Sequence, residues 1–164
     1  MAEGEGGGRL NFPFVGIPSF LRAAIRTELG ELDADIAVLG APSDEGSPYM
    51  PGSRFGARSI REHSLRFVTD GRGYYDPEAR KQYLEREMVE GRIADVGDAD
   101  ILPTNVVDTF ANITELTRAV VDRGAMPVAL GGDHSVTFPV ARAFEGDEPF
   151  HVVHFDAHID YMPF

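Results

Sequence analysis

Short apolar runs and amphipathic stretches take turns along the chain. "DIAVLGAP" (35–42) is continuously apolar and closed by Gly and Pro, the pattern of a strand buried on both faces. "SRFGARSIREHSLRF" (53–67) reads as a helix, although Gly56 weakens it by roughly 1 kcal/mol relative to Ala. "GRGYYDPEARKQYLEREMVEG" (71–91) is polar and aromatic and fits a loop with either a hairpin or a short helix. "RIADVGD" (92–98) reads as a second strand ending in a turn. The strongest helix pattern covers 105–123: Val106, Phe110, Ile113, Thr117 and Val120 share one face, Thr104 or Asn105 can cap the start, and Gly124 stands past the end. "MPVALGG" (126–132) is a strand running into two glycines. "SVTFPVARAF" (135–144) predicts a helix capped by Ser135, with Pro139 near the first turn, where a missing N–H costs least. "FHVVHF" (150–155) predicts the last strand.

Strand, helix, strand, helix, strand is the order of an α/β protein with a parallel sheet and right-handed crossovers. In such sheets ligands gather at the carboxyl ends of strands, and both "GGDHS" and "DAHID" follow a predicted strand at that end. The 164 residues, 43% of them apolar, suffice for one domain with a core. The glycine-rich residues 1–12 predict a flexible lead-in, leaving 13–164 as part of a single domain. A formal net charge of −12 argues against a nucleic-acid-tracking surface and suits a cationic ligand. Without cysteine, disulfides and thiolate metal sites are excluded. No secretory signal or apolar span is visible, so the expected location is the cytoplasm, away from membranes.

The candidate chemistry lies in "HFDAHID". Asp156, His158 and Asp160 alternate, so in extended backbone their side chains face one way, roughly 6–7 Å apart per step. Donors spread over that span suit two neighbouring cations, which two-metal hydrolytic sites hold about 3.5–4 Å apart with a shared carboxylate. Carboxylate and imidazole without sulfur favour Mn²⁺ and similar ions. His134, after its own strand, can bring another imidazole to the same rim. Single His or Asp residues at strand ends are usually satisfied polar groups, but strict alternation backed by a fourth donor reverses that reading.

"LGGDHS" (130–135) and "HFDAHID" (154–160) closely resemble two of the three metal-binding signatures of the ureohydrolase superfamily, which includes arginase and agmatinase. "GAPSDEGSPYMPGSRFGARSIR" (40–61), "FVGIPSF" (14–20) and "IADVGD" (93–98) resemble segments of the agmatinase branch. The resemblance implies a three-layer α/β/α fold with a mainly parallel sheet and a dimanganese centre, two Mn²⁺ per complete active site, Ni²⁺ being an alternative ion. By position it implies His134 and Asp160 on one metal, His158 on the other and Asp156 bridging. A hydroxide held between the ions would attack a guanidinium carbon, releasing urea and an amine. No side chain beyond that hydroxide is assigned a catalytic role. The expected substrate is a small guanidino compound, agmatine first and then guanidinobutyrate or another short guanidino acid; the expected assembly is a homo-oligomer, trimer or hexamer.

The third signature, S-x-D-x-D-x-x-D-P, has no match here, which implies an N-terminal half whose C-terminal strands are missing. A non-catalytic metal-binding partner, or an inactive truncated ureohydrolase fragment, is therefore the alternative. Asp133 and Ser135 read as orienting or capping residues, and Asp44 as either a contact to active-site loops or an ordinary turn residue. His151 and His154 read as satisfied strand residues, His63 as structural, Tyr74 and Tyr75 as packed, and Arg58 and Arg61 as ion-paired helix surface.

Overall fold

The computed structural model describes residues 15–67, 71–146, 149–158 and 160; the predicted lead-in over 1–12 lies outside the described residues, as does Ile159. In chain order the elements are β1 (Ala24–Ile25), β2 (Ile36–Ala41), α1 (Gly56–Ser64), β3 (Tyr74–Asp76), β4 (Lys81–Tyr83), α2 (Glu85–Val89), β5 (Ile93–Asp98), α3 (Val106–Asp122), β6 (Met126–Gly131) and α4 (Thr137–Arg142). β1, β5, β2 and β6 lie side by side in that order, every pair parallel, while β3 and β4 form a separate antiparallel hairpin. The ambiguous 71–91 segment thus holds both a hairpin and a short helix. No helix among the described residues is long and apolar enough to cross a membrane.

β2 is the sheet's central element because its side chains are apolar in both directions. Ala37 and Leu39 pack with Ala94, Val96 and Val120, the last from α3. Val38, on the opposite face, packs with Ile93, Leu130 and Ala57 from α1. A third cluster of Ala41, Ala99, Ile113 and Val136 joins α3 to the turn before α4. Helices therefore cover both faces, giving the expected three-layer α/β/α arrangement. Burying each Leu, Val or Ile side chain contributes about 1.5–3 kcal/mol.

α3 opens where Asn105 accepts the Asp108 N–H at 3.1 Å and closes before Gly124 at φ 76°. Its buried face is more polar than the apolar spacing predicts: Thr109, Thr114 and Thr117 join Ile113 and Val120 inside, while Val106 remains 39% exposed. Backbone carbonyls satisfy the hydroxyls: Thr114 Oγ1 donates to Pro139 of α4 and Thr117 Oγ1 to Ile113, each at 2.8 Å, and Thr109 Oγ1 to Leu102 at 3.2 Å. Gly56 opens α1 for a steric reason, since a Cβ there would stand 2.9 Å from the Gly131 carbonyl oxygen.

Several expectations are corrected. Residues 150–155 form no strand: they pair with no other strand among the described residues, and Val152, Val153 and Phe155 are exposed. An extended apolar run becomes a strand only where another backbone supplies hydrogen bonds. Arg61 is not helix surface but is 7% exposed, its Nε and Nη2 donating to the two Asp95 carboxylate oxygens at 2.8 and 3.0 Å. It also donates to the Gly97 carbonyl at 2.9 Å and pairs with Asp98. Gly40 makes room for that pair, because a Cβ there would overlap the Asp98 carboxylate. Arg58 is surface as expected, 3.3 Å from Glu62. Tyr74 and Tyr75 are exposed on the hairpin rather than packed, since two short strands have no second layer to bury them. His63 is exposed on α1.

Candidate metal centre

β6 delivers the first half of the site. Beyond its last residue the backbone presses against the end of β2: Gly132 donates to the Ala41 carbonyl at 3.0 Å and Asp133 to the Ser43 carbonyl at 2.9 Å. A Cβ at Gly132 would overlap the Ser43 carbonyl oxygen, so this approach requires glycine. Asp133, not Ser135, caps the following helical turn, its Oδ1 accepting the Ser135 N–H at 2.9 Å and the Ser135 hydroxyl at 2.5 Å. The reason is phase: helical geometry starts at His134, two residues earlier than a cap at Ser135 would set it. Among the described residues, Asp133 Oδ2 is buried without a hydrogen-bond partner. The cap fixes His134 at the start of its turn, with Nδ1 toward the second half of the site.

That second half is residues 154–160, which do not continue as extended backbone. Asp156 Oδ1 accepts the His158 N–H at 2.9 Å, a local turn that Asp side chains form readily. Asp160 stands at φ 48°, in the left-handed region. The bend draws carboxylates together that a straight strand would keep apart. His134 Nδ1 pairs closely with Asp160 and lies 3.5 Å from Asp156 Oδ2. His154 Nε2 lies 3.6 Å from the same Asp156 oxygen, and its ring centroid is 5.1 Å from that of His134. One donor atom from each of His134, His154, Asp156 and Asp160 lies within 4.8 Å of the others.

Three of the four residues expected as ligands, His134, Asp156 and Asp160, are thus brought together. The fourth, His158, has Nδ1 3.5 Å from Asp156 Oδ1, but its side chain is 83% exposed and stands outside the close group. His154, read from sequence as a satisfied strand residue, takes its place there. The missed signal was the same period of two: 154, 156, 158 and 160 are all donors. His151, out of that phase, is exposed.

The donor set fits a divalent cation of intermediate hardness: two imidazoles and two carboxylates, no sulfur. Donors on opposite sides of a cation at about 2.1 Å are about 4.2 Å apart, so the observed spread needs only a small contraction. The His158 N–H holds the Asp156 carboxyl below the ordinary carboxylate range; partial burial opposes this, and the His134, His154 and His158 imidazoles add to it.

Beside the cluster is a cleft of about 610 Å³ lined by Gly46–Pro48, Asp133–Ser135, Thr137, Phe138, Ala141 and Asp160. Asp44 sets its loop wall. Its buried carboxylate accepts from Arg54 Nε and Gly52 N, both at 2.6 Å, and from Arg54 N at 3.2 Å. The Arg54 guanidinium is the main reason its pKa falls to about 2; burial works against this, and the two backbone N–H groups reinforce it. Asp44 therefore organises the loop over residues 44–54.

A parallel sheet covered by helices on both faces, with imidazole and carboxylate donors gathered beyond strand ends, defines an α/β protein built to present a polar site at that rim. The particular family follows from comparison: residues 34–163 match the arginase family, and the chain belongs to it. It is 35% identical over 147 residues to guanidino acid hydrolase, mitochondrial, of Homo sapiens, covering 89% of this chain and 39% of that protein. It is 36% identical over 147 residues to agmatinase, mitochondrial, of Gallus gallus, covering 89% of this chain and 40% of that protein. The solved proclavaminate amidino hydrolase of Streptomyces clavuligerus superposes with a TM-score of 0.65 at 27% identity, over 80% of this chain and 40% of that one. The chain thus spans about 40% of the length of the curated relatives it matches.

Proposed function

We propose that this chain carries part of a ureohydrolase site that hydrolyses a small guanidino compound, agmatine before guanidinobutyrate or another short guanidino acid, to urea and an amine. The observation that carries the reading is the convergence of donors from His134, Asp156 and Asp160 at the end of β6. Those three residues and His158 would hold Mn²⁺, two ions per complete active site, Ni²⁺ being the alternative. When bound, divalent ions supply electrophilic stabilisation and make water acidic enough to act as a nucleophile near neutral pH. The chain's own contribution is placement. Asp133 and Ser135 keep His134 facing the carboxylates, and the Asp44–Arg54 pair holds the wall of the adjoining cleft. Among the described residues the cleft lining includes Asp133 and Asp160 and no Lys or Arg, which favours a cationic guanidinium.

A non-catalytic metal-binding partner is the second reading, favoured by exposure: the His134 and Asp160 side chains are 44% and 45% accessible, although a hydrolytic site gains from excluding water. A homo-oligomer, trimer or hexamer, in the cytoplasm is the accompanying expectation for the catalytic reading. The test is urea release from agmatine by the pure, folded chain with added Mn²⁺, with bound manganese counted in parallel. Urea and about two ions per chain support the catalytic reading; a bound ion without urea supports the partner reading.

A further inference from the structure

We infer that two copies of this chain pair reciprocally, the β3–β4 hairpin of each seating in the groove beside β1 of the other. In the hairpin register Tyr74 stands opposite Tyr83 and Asp76 opposite Lys81, so one face carries two tyrosines and a lysine while Tyr75 lies on the other. All three rings are exposed, Tyr75 by 55% and Tyr74 by 50%. Two short strands without a second layer are marginal in water, and tyrosine is enriched where one protein surface covers another. Local contacts order the tip. Asp76 Oδ1 accepts the N–H groups of Glu78 at 2.8 Å and Ala79 at 3.1 Å, and Lys81 Nζ lies 4.8 Å from the centre of the Tyr83 ring. Arg72, Arg80 and Lys81 outnumber Asp76 and Glu78, so the hairpin is basic on a chain of formal net charge −12.

The groove beside the edge strand β1 holds about 700 Å³, room for two tyrosine side chains. Ala24 and the exposed Ile25 give it an apolar strip. Glu28, Glu31, Asp33 and Glu90 outnumber Arg26 and Arg92 around it, and the Arg92 guanidinium is already committed to Asp33 and Asp35, each at 2.7 Å. An acidic wall beside an apolar strip complements a basic, aromatic hairpin. Among the described residues, the chain's own hairpin does not line this groove. Only α2 separates hairpin from groove in sequence, so each copy can give one hairpin and receive one, the isologous contact of a two-fold dimer. The same kind of contact joins two trimers into a hexamer. β1 and β6 are opposite edges of the sheet, so the pairing leaves the donors beyond β6 uncovered and does not rest on the catalytic reading.

The experiment uses the full 164-residue chain in sedimentation velocity, with circular dichroism confirming that each variant is folded. The unaltered chain should be a dimer, or a multiple of one, at micromolar concentrations. Arg80→Glu/Lys81→Glu and, separately, Glu28→Lys/Glu31→Lys should each weaken association at least about tenfold, because like charges then meet. Mixing those two variants in equal amounts should restore the dimer, since every hairpin again faces a groove of opposite charge. Met126→Lys, on the other edge of the sheet, should associate within about twofold of the unaltered chain. Should a double variant unfold, Lys81→Glu and Glu31→Lys, both at exposed positions, take its place with the same expected pattern. A monomeric unaltered chain overturns the inference. So does a mixture that fails to reassociate, or a Met126→Lys chain that dissociates as readily as the hairpin variant. Urea release by a monomer would sink this inference and leave the proposed function standing; charge-swapped dimers without urea or bound metal would do the reverse.

Discussion

Removing the Arg61 guanidinium should be among the most destabilising single changes available in this chain. Asp95 is 2% exposed, and its two oxygens receive Arg61 Nε and Nη2 together with the backbone N–H groups of Phe20 at 2.8 Å and Gly97 at 3.0 Å. In Arg61→Met the carboxylate keeps the two backbone donors and loses its only countercharge within that contact set. Leaving one member of a buried pair unpaired costs about 3–5 kcal/mol. At roughly 2–4 °C per kcal/mol for a chain of this size, the melting temperature should fall by about 6–20 °C. Asp98 adds little to this cost, because its side chain is 43% exposed and water replaces the guanidinium. The double variant Arg61→Met/Asp95→Asn keeps an acceptor for one of the two backbone N–H groups, which bind different oxygens of Asp95, and buries no charge, so it should recover part of the loss. The chain has no tryptophan, so urea unfolding followed by far-ultraviolet circular dichroism is the suitable assay. A single-variant loss below about 1 kcal/mol, the range of exposed ion pairs, would refute the reasoning. So would a double variant no more stable than the single.

Two further expectations test the loops that frame the site. The Asp44 pKa is depressed from 3.8 to about 2, so its stabilising contribution is complete above pH 3.8 and is lost as pH falls through 2. Asp44→Asn should therefore flatten the stability profile across that window and leave the profile above it parallel; an unchanged acid slope would count against the assignment. Gly132→Ala sets a Cβ against the Ser43 carbonyl oxygen, a backbone atom that no side-chain rotation can move aside. It should cost more than about 3 kcal/mol and abolish cation binding, both checked by melting and calorimetry; near-native stability would show that the β2 and β6 ends separate more easily than described.

The arrangement of strands and helices was legible because burial on two faces leaves a sequence signature. β2 carries apolar side chains at consecutive positions, which only a strand between helical layers tolerates, and α3 carries both a cap and a terminating glycine. What sequence pattern could not give was the state of groups whose surroundings are distant along the chain. Arg61 looks like any helix-surface arginine until Asp95, 34 positions away, is brought beneath it. Asp133 and Ser135 differ by two residues, and only the observed start of the turn decides which one caps. Extended spacing over 154–160 suggested donors several ångströms apart, but the Asp156–His158 turn and the left-handed Asp160 bend the segment into a compact group.

By itself, then, the amino-acid order determined the family motifs, the donor types and the alternation of strands with helices, because each depends on residue identity within a short window. The tertiary structure alone decided which donors meet, that His154 joins them while the His158 ring stands outside, and that 150–155 pairs with no strand among the described residues. Those outcomes depend on backbone turns and on the partners that hydrogen bonding and burial supply from remote parts of the chain, and local pattern carries no record of either.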